Sequence, residues 1–200
     1  MNIGVMGGTF DPIHKGHIMV AEEARAQLSL AEVLFVPAGK PWLKEDSSIL
    51  VVEHRVQMVR LAIADRPYFK LSTIEVNRDG PTYSVDTLAE LRGQVSAEDG
   101  LFFILGWDSL EQLPRWRQPS WLIKMCYLVA VPRPGYSFPD LSSLEAVIPG
   151  LSRRLTLLDR PEVDISATDI KNRVAQGLSI RHLVPEPVIE YIRQHELYLT

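Results

Sequence analysis

Two apolar runs of five residues, at positions 101–105 and 127–131, constrain this 200-residue chain more than any other feature. They are too short for a core helix and show no polar–apolar alternation, so they read as strands buried on both faces. Such strands need helices on both sides of their sheet, and the rest of the sequence supplies them. Residues 2–6 and 33–36 read as further strands, 69–76 as a third flanking one, and 155–158 as the last. Between them, apolar positions recur at helical spacing: Ile18, Ala21, Ala24 and Leu28; then Val52, Val56, Val59 and Ile63; then Val85, Leu88, Leu91 and Val95. Strands alternating with helices of this length imply right-handed crossovers and a doubly wound, mainly parallel α/β sheet. Residues 165–200 carry two more helical patterns, around Ile170 and Val174 and around Val188 and Ile192, and are expected to form a C-terminal helical part of the same single domain. Ligands of such sheets gather at the carboxyl ends of the strands.

Composition narrows the function. Hydrophobic residues make up 46% and charged residues 23%, ordinary globular usage that excludes wholesale disorder. A net charge of −4 lacks the basic excess of a nucleic-acid coat, so no nucleic-acid partner is expected and any anionic ligand must be held by a local cluster. The single cysteine, Cys126, allows no disulfide framework and no zinc knuckle, which fits a reducing, cytoplasmic compartment. No apolar stretch approaches the roughly 18 residues that span a bilayer, and no membrane partner is expected. A homo-oligomer is left open.

The chemistry concentrates in Gly7-Gly8-Thr9-Phe10-Asp11-Pro12-Ile13-His14-Lys15-Gly16-His17, set between the first strand and the first helix. Small residues there let backbone N–H groups approach an anion, and the helix N-terminus behind them supplies orphan donors and a positive dipole end. The string matches neither the P-loop nor the dinucleotide-binding glycine pattern, so hydrolysis by a Walker-type site and hydride transfer lose their main support. His14 and His17 lie three apart without the intervening Glu of a zinc protease, and no protein metal site is read here. On its own, a tight strand-to-helix turn with two polar histidines accounts for the pair equally well.

Four further segments continue the pattern: Arg78-Asp79-Gly80-Pro81-Thr82-Tyr83, Gly106-Trp107-Asp108-Ser109-Leu110 with the following Trp116, Arg133-Pro134-Gly135, and Ile165-Ser166-Ala167-Thr168-Asp169-Ile170-Lys171. With these five motifs in order, the chain resembles the nucleotidyltransferases that carry a His-x-Gly-His motif, and within them the bacterial nicotinate-nucleotide adenylyltransferases. The resemblance runs almost end to end. Three departures stand out: Pro41-Trp42-Leu43-Lys44 where the family often has Pro-Pro-His-Lys, Ala167 where it has a second Ser, and Lys171 where it has Arg. Lysine keeps the charge there but loses the planar fork.

The resemblance implies a Rossmann-like nucleotidyltransferase fold and transfer of AMP from ATP to nicotinate mononucleotide, with Mg²⁺ carried on the ATP rather than in a protein cage. It implies His14 and His17 as catalytic, with His17 at the α-phosphate. Gly7, Gly8, Thr9, Phe10, Lys15, Gly106, Asp108, Ile165, Ser166, Thr168 and Lys171 are expected around ATP. Lys40, Lys44, Thr82, Tyr83, Asp108, Trp116 and Arg133 are expected around the acceptor, with Asp108 turned toward the ribose or Mg²⁺ side. Ser166 followed by Asp169 also reads simply as a capped helix start, and Trp107, Trp116 and Tyr83 read either as core aromatics or as a wall for a pyridine ring. The loop at residues 37–48 is expected to order over the acceptor. His54, His182 and His195 read as solvated, and Cys126 as a small buried apolar group. An amide-form acceptor or a silent nucleotide sensor on the same fold are the alternatives.

Overall fold

The computed structural model describes residues 1–40, 49–161 and 163–199. Its elements run β1 (Asn2–Gly8), α1 (Lys15–Gln27), β2 (Glu32–Pro37), α2 (Val52–Ile63), β3 (Phe69–Leu71), α3 (Ser84–Gln94), β4 (Gly100–Gly106), α4 (Trp107–Glu111), α5 (Pro119–Met125), β5 (Tyr127–Val131), α6 (Leu141–Val147), β6 (Leu155–Leu157), α7 (Ala167–Ala175) and α8 (Glu186–Gln194). The six strands form one sheet in the order β3-β2-β1-β4-β5-β6, and every neighbouring pair is parallel. The chain winds outward from β1 in one direction, returns, and winds outward from β4 in the other. Between β1 and β4 the direction reverses, and a crevice opens at their carboxyl ends, at Gly8 and Gly106.

The period-2 geometry of a strand sorts each apolar run onto two faces. Leu101, Phe103 and Leu105 of β4 join Leu128 and Ala130 of β5 under α3, α5 and α6. Phe102, Ile104, Val129 and Val131 face the other layer, with α1, α2, α7 and α8. Fully burying a side chain such as Leu128 contributes about 1.5–3 kcal/mol, which is why runs apolar on both faces belong at the sheet centre. Ile170 of α7 and Val188 and Ile192 of α8 enter the same core as α1 and α2. Cys126 is buried at the end of α5, its thiol 3.5 Å from the Leu122 carbonyl, and burial pushes that thiol up to about 12.

Several local expectations are corrected. The strand expected over residues 69–76 pairs with β2 only over Phe69–Leu71, and the chain then turns so that Glu75 is buried. The inner face of α2 is Arg55, Met58, Val59, Ala62 and Ile63 rather than the stripe beginning at Val52 and Val56, because a guanidinium occupies one buried position. Helices α5 and α6, seven residues each, are too short to show as stripes. His54 is partly buried, its Nδ1 2.8 Å from the Tyr191 hydroxyl and its ring beside His195. The expected loop starts later than residue 37, since Pro37 closes β2, and residues 41–48, with Lys44, lie outside the described residues. Among the described residues no helix is long and apolar enough to cross a membrane.

Candidate active site

The crevice holds a cavity of about 370 Å³ that reaches from the end of β1 across to the β5–α6 connection. On one wall stand Gly7, Gly8, Thr9, His14 and His17, and on the other Gly106, Asp108, Trp116 and Arg133. Thr82 and Ile165 complete the expected residues that line it.

The first wall is shaped by close packing. After Gly8 the chain reverses at Phe10, which holds a left-handed φ of 50° although it is not glycine. Its ring is buried, edge-on to His17 at 5.0 Å and tilted against Phe35 at 5.9 Å. Such a backbone outlier persists only where surrounding contacts over-determine it, and two aromatic contacts do so here. His14 precedes the first turn of α1, and its N–H donates to Nδ1 of His17 at 3.2 Å. The two imidazoles stack at 3.7 Å with 28° between their planes. A Cβ at Gly16 would stand 2.7 Å from Val163 and 3.0 Å from the His14 ring. The His-x-Gly-His spacing therefore follows from contact: the third residue lies directly against the ring of the first.

The hydrogen bond from His14 fixes a tautomer. With Nδ1 of His17 accepting, a neutral His17 carries its proton on Nε2, and that nitrogen is the one through which the ring donates. Burial, helped by the charge of Arg133, lowers His14 from 6.5 to about 4, so its imidazole is neutral at pH 7. A neutral His14 can stack on its neighbour without charge repulsion.

On the second wall, Arg133 Nη1 donates to Asp108 Oδ2 at 2.5 Å. Asp108 Oδ1 and Trp116 Nε1 are buried with no hydrogen-bond partner among the described residues. A Cβ at Gly106 would lie 2.4 Å from Asp108 Oδ1, so the glycine makes room for that carboxylate. Buried polar atoms of this kind are rare in folded proteins, and these two flank the cavity. Among the described residues no three His, Cys, Asp or Glu side chains converge to hold a metal ion.

Other expected residues stand away from the cavity. The Phe10 ring belongs to the core, and Lys15 turns outward to the Arg181 carbonyl at 2.7 Å, while its backbone N–H donates to the Leu183 carbonyl of the same segment. The Tyr83 ring lies under Arg117 at 4.8 Å, and Trp107 packs edge-on against Phe138 at 5.4 Å. Of the aromatic wall, Trp116 alone lines the crevice. Lys40 is exposed, and its carbonyl accepts from the Thr82 N–H at 3.0 Å. The Ser166 hydroxyl caps α7 by accepting from the Asp169 N–H at 3.0 Å, Thr168 is exposed, and Lys171 is bonded to Asp11.

Sequence reasoning missed two buried charged residues that frame the site. Arg55 donates to the carbonyls of Thr9 at 2.7 Å, Gly39 at 3.3 Å and Leu50 at 3.0 Å, tying the first motif to the segment after β2. Its position on the same helical stripe as Met58, Val59 and Ala62 was a usable signal. Glu75 lines the cavity and accepts from Thr87 Oγ1 at 2.7 Å. Burial raises its carboxyl above the ordinary value, against the hydrogen bonds from Thr87, Thr82 and the Gly39 N–H. Nothing in an alternating strand-like run marks such a Glu as internal.

Residues 5–173 match the cytidylyltransferase-like family model. A Dehalococcoides mccartyi protein described as "Probable nicotinate-nucleotide adenylyltransferase" is 48% identical over 198 residues, covering 99% of this chain and 97% of the relative. A Roseiflexus relative of the same description is 46% identical over 98% of this chain and 97% of its own length. A Plasmodium falciparum nicotinic acid mononucleotide adenylyltransferase complexed with NaAD superposes with a TM-score of 0.80 over 98% of this chain and 97% of that one, at 20% identity, and so shares the fold. With a family model matching residues 5–173 and relatives 46–48% identical over nearly the whole chain, the chain belongs to the cytidylyltransferase-like family and, within it, to the nicotinate-nucleotide adenylyltransferases.

Proposed function

We propose that this protein transfers AMP from ATP to nicotinate mononucleotide, forming nicotinate adenine dinucleotide and releasing pyrophosphate in NAD synthesis. The observation that carries this reading is the fixed imidazole of His17, held by the His14 N–H at the start of α1 and facing one cavity with Asp108, Trp116 and Arg133. The relatives of that description, similar over nearly the whole chain, support it.

The acceptor is a phosphate monoester whose second pKa is about 6, so at pH 7 it is largely dianionic and needs no base. An oxygen of that phosphate bonds to the α-phosphorus as the bond to the pyrophosphate oxygen breaks, and negative charge gathers on the oxygens around the α-phosphorus. His17 donates from Nε2 to one of them, and the backbone of Gly7, Gly8 and Thr9 lines the phosphate path. Positioning and charge stabilisation carry the step. His14 acts as a neutral support that keeps the donor nitrogen aimed. Arg133 supplies the positive charge of the opposite wall, Asp108 Oδ1 accepts a ribose hydroxyl, and Trp116 packs against the pyridine with Thr82 beside it. Lys40 and Lys44 belong to the segment that would approach the acceptor. Mg²⁺ would come bound to the triphosphate rather than in a protein cage, and there it would neutralise phosphate charge. Ile165 lies along the triphosphate, with Ser166, Thr168 and Lys171 acting behind it.

The test is pyrophosphate release from ATP and Mg²⁺ with nicotinate mononucleotide, and in parallel with nicotinamide mononucleotide. The expected result is turnover with the acid form favoured at least about tenfold in kcat/KM. With the Thr82 N–H held by the Lys40 carbonyl, the N–H groups of Trp107 and Asp108 at the start of α4 are the donors assigned to the pyridine substituent; they would satisfy a carboxylate, whereas a carboxamide must turn an NH₂ toward one of them. Equal values would reject the acid preference and keep adenylyl transfer. No pyrophosphate with either acceptor would reject the enzyme.

A further inference from the structure

Asp11 sits in the turn between β1 and α1, is 4% exposed, and has both carboxylate oxygens occupied. Lys171 Nζ donates to Oδ2 at 2.6 Å, and the Tyr198 hydroxyl donates to Oδ1 at 2.6 Å. The ammonium also lies 5.7 Å from the Tyr198 ring centroid, so the three groups close a triangle. They come from the first motif, from the second turn of α7 and from the stretch beyond α8. Tyr198 reaches its place with a left-handed φ of 64°, a conformation that costs a non-glycine residue and persists where contacts hold it. Burial and the Asp11 hydrogen bond hold the phenol well above its ordinary value, so it stays protonated and donates.

We infer that Lys171 is a positioning residue that, with Tyr198, anchors α7 to the first motif through Asp11, instead of contacting the triphosphate directly. An ammonium bonded to a buried carboxylate is not a spare cation. Reaching a phosphate would strip buried Asp11 of the only ammonium bonded to it among the described residues, leaving the Tyr198 hydroxyl and the nearby charge of Arg55, and breaking a buried pair in that way is unfavourable. The anchor has a clear target. Immediately before α7, Val163 packs on Gly16 and Ile165 lines the cavity, so the position of α7 sets how closely that segment presses on the His-x-Gly-His turn.

The same triangle suits lysine at position 171 better than arginine. A guanidinium grips a carboxylate with two parallel N–H donors and would claim both Asp11 oxygens. Lysine takes one oxygen and leaves the other for Tyr198. The identity of residue 171 is therefore coupled to residue 198, 27 positions away in the chain.

This inference rests on the proposed reaction for its kinetic readout, and the wild-type assay separates the two: a wild-type chain that releases no pyrophosphate refutes the reaction alone. In an active chain, Lys171→Met and Tyr198→Phe are each expected to raise KM for ATP by about fivefold or more, with the double variant no worse than the weaker single one, as members of one network behave. Lys171→Arg is expected to lower the thermal midpoint, and adding Tyr198→Phe to restore it, because the fork then has both oxygens. Hydrogen exchange gives a readout independent of activity: residues 163–170 are expected to exchange faster in Tyr198→Phe than in wild type. A Tyr198→Phe protein with wild-type KM for ATP and wild-type exchange there, beside a Lys171→Met protein of raised KM, would overturn the inference and make Lys171 a direct phosphate ligand. Additive penalties in the Lys171→Arg, Tyr198→Phe pair would overturn the coupling as well.

Discussion

Two helices, α1 and α7, begin near the same crevice, and their first turns are built in opposite ways. Helix α7 opens with Ser166, whose hydroxyl accepts from the Asp169 N–H, and carries the acid Asp169 in its first turn. Helix α1 opens with His14, has no acid in its first turn, and uses its boundary N–H to hold a second imidazole. The first turn of α7 is thus answered by a hydroxyl and an acid, whereas α1, whose Lys15 N–H is held by the Leu183 carbonyl, carries no acid in its first turn and so favours an anion near its positive end. Two segments that look alike as strand-to-helix or loop-to-helix transitions divide the work. One presents chemistry, and the other is structure that holds it in place.

The largest expected effect tests the chemical side. His17→Ala should leave the fold intact and lower kcat by about 10²-fold or more, the usual loss when a preorganised donor to a developing oxyanion is removed. An unchanged kcat would remove the distinction between the two helix starts. A smaller effect sharpens it through His14, whose imidazole is buried neutral on the α1 side alone. The unfolded chain takes up a proton near pH 6.5 and the folded chain only near 4, so His14 stabilises the fold fully above pH 6.5 and that contribution is lost as the pH falls toward 4. Between pH 7 and 5 the loss should be about 2 kcal/mol, and denaturant midpoints of wild type and His14→Asn should differ in their pH slope accordingly. Parallel slopes would count against a neutral, desolvated ring. The smallest effect concerns α7: Ser166→Ala should cost about 1 kcal/mol of stability through loss of a cap. A fall in kcat as deep as that of His17→Ala would place Ser166 among the reacting groups and erase the comparison.

How much of this is legible in the sequence depends on what kind of signal each residue carries. Strands β1, β4 and β5 announce themselves because residues buried on both faces must be apolar at consecutive positions. The alternating run after Phe69 reads as a longer strand, yet pairing stops at Leu71 because the chain must turn to bring Glu75 onto Thr87. Helix α6 is too short to show a stripe, although Asp140, which accepts from the Ser142 and Ser143 N–H groups at 3.1 and 3.2 Å, is a readable cap before it. In the site, the string from Gly7 to His17 is legible because small residues leading into a helix start open the backbone N–H groups to an anion. The opposite directions of Lys15 and His17 are not, since they depend on the Arg181 carbonyl and on the stacked His14 ring, which the chain brings together only on folding. Glu75 and Asp11 share that fate, because neither stands on an apolar stripe that would mark it as internal, whereas Arg55 does.

The chain's one cysteine gives the molecule a built-in clock. Cys126 lies at the junction of α5 and β5, beneath the layer that carries the second wall, and with its thiol held near 12 almost none of it is thiolate at neutral pH. Thiol reagents attack the thiolate, so the folded protein should be nearly inert to them, and each labelling event should record a moment when this half of the sheet has opened. With reagent concentrated enough for labelling to outrun reclosing, the rate of labelling counts openings directly, one per molecule, without any introduced probe.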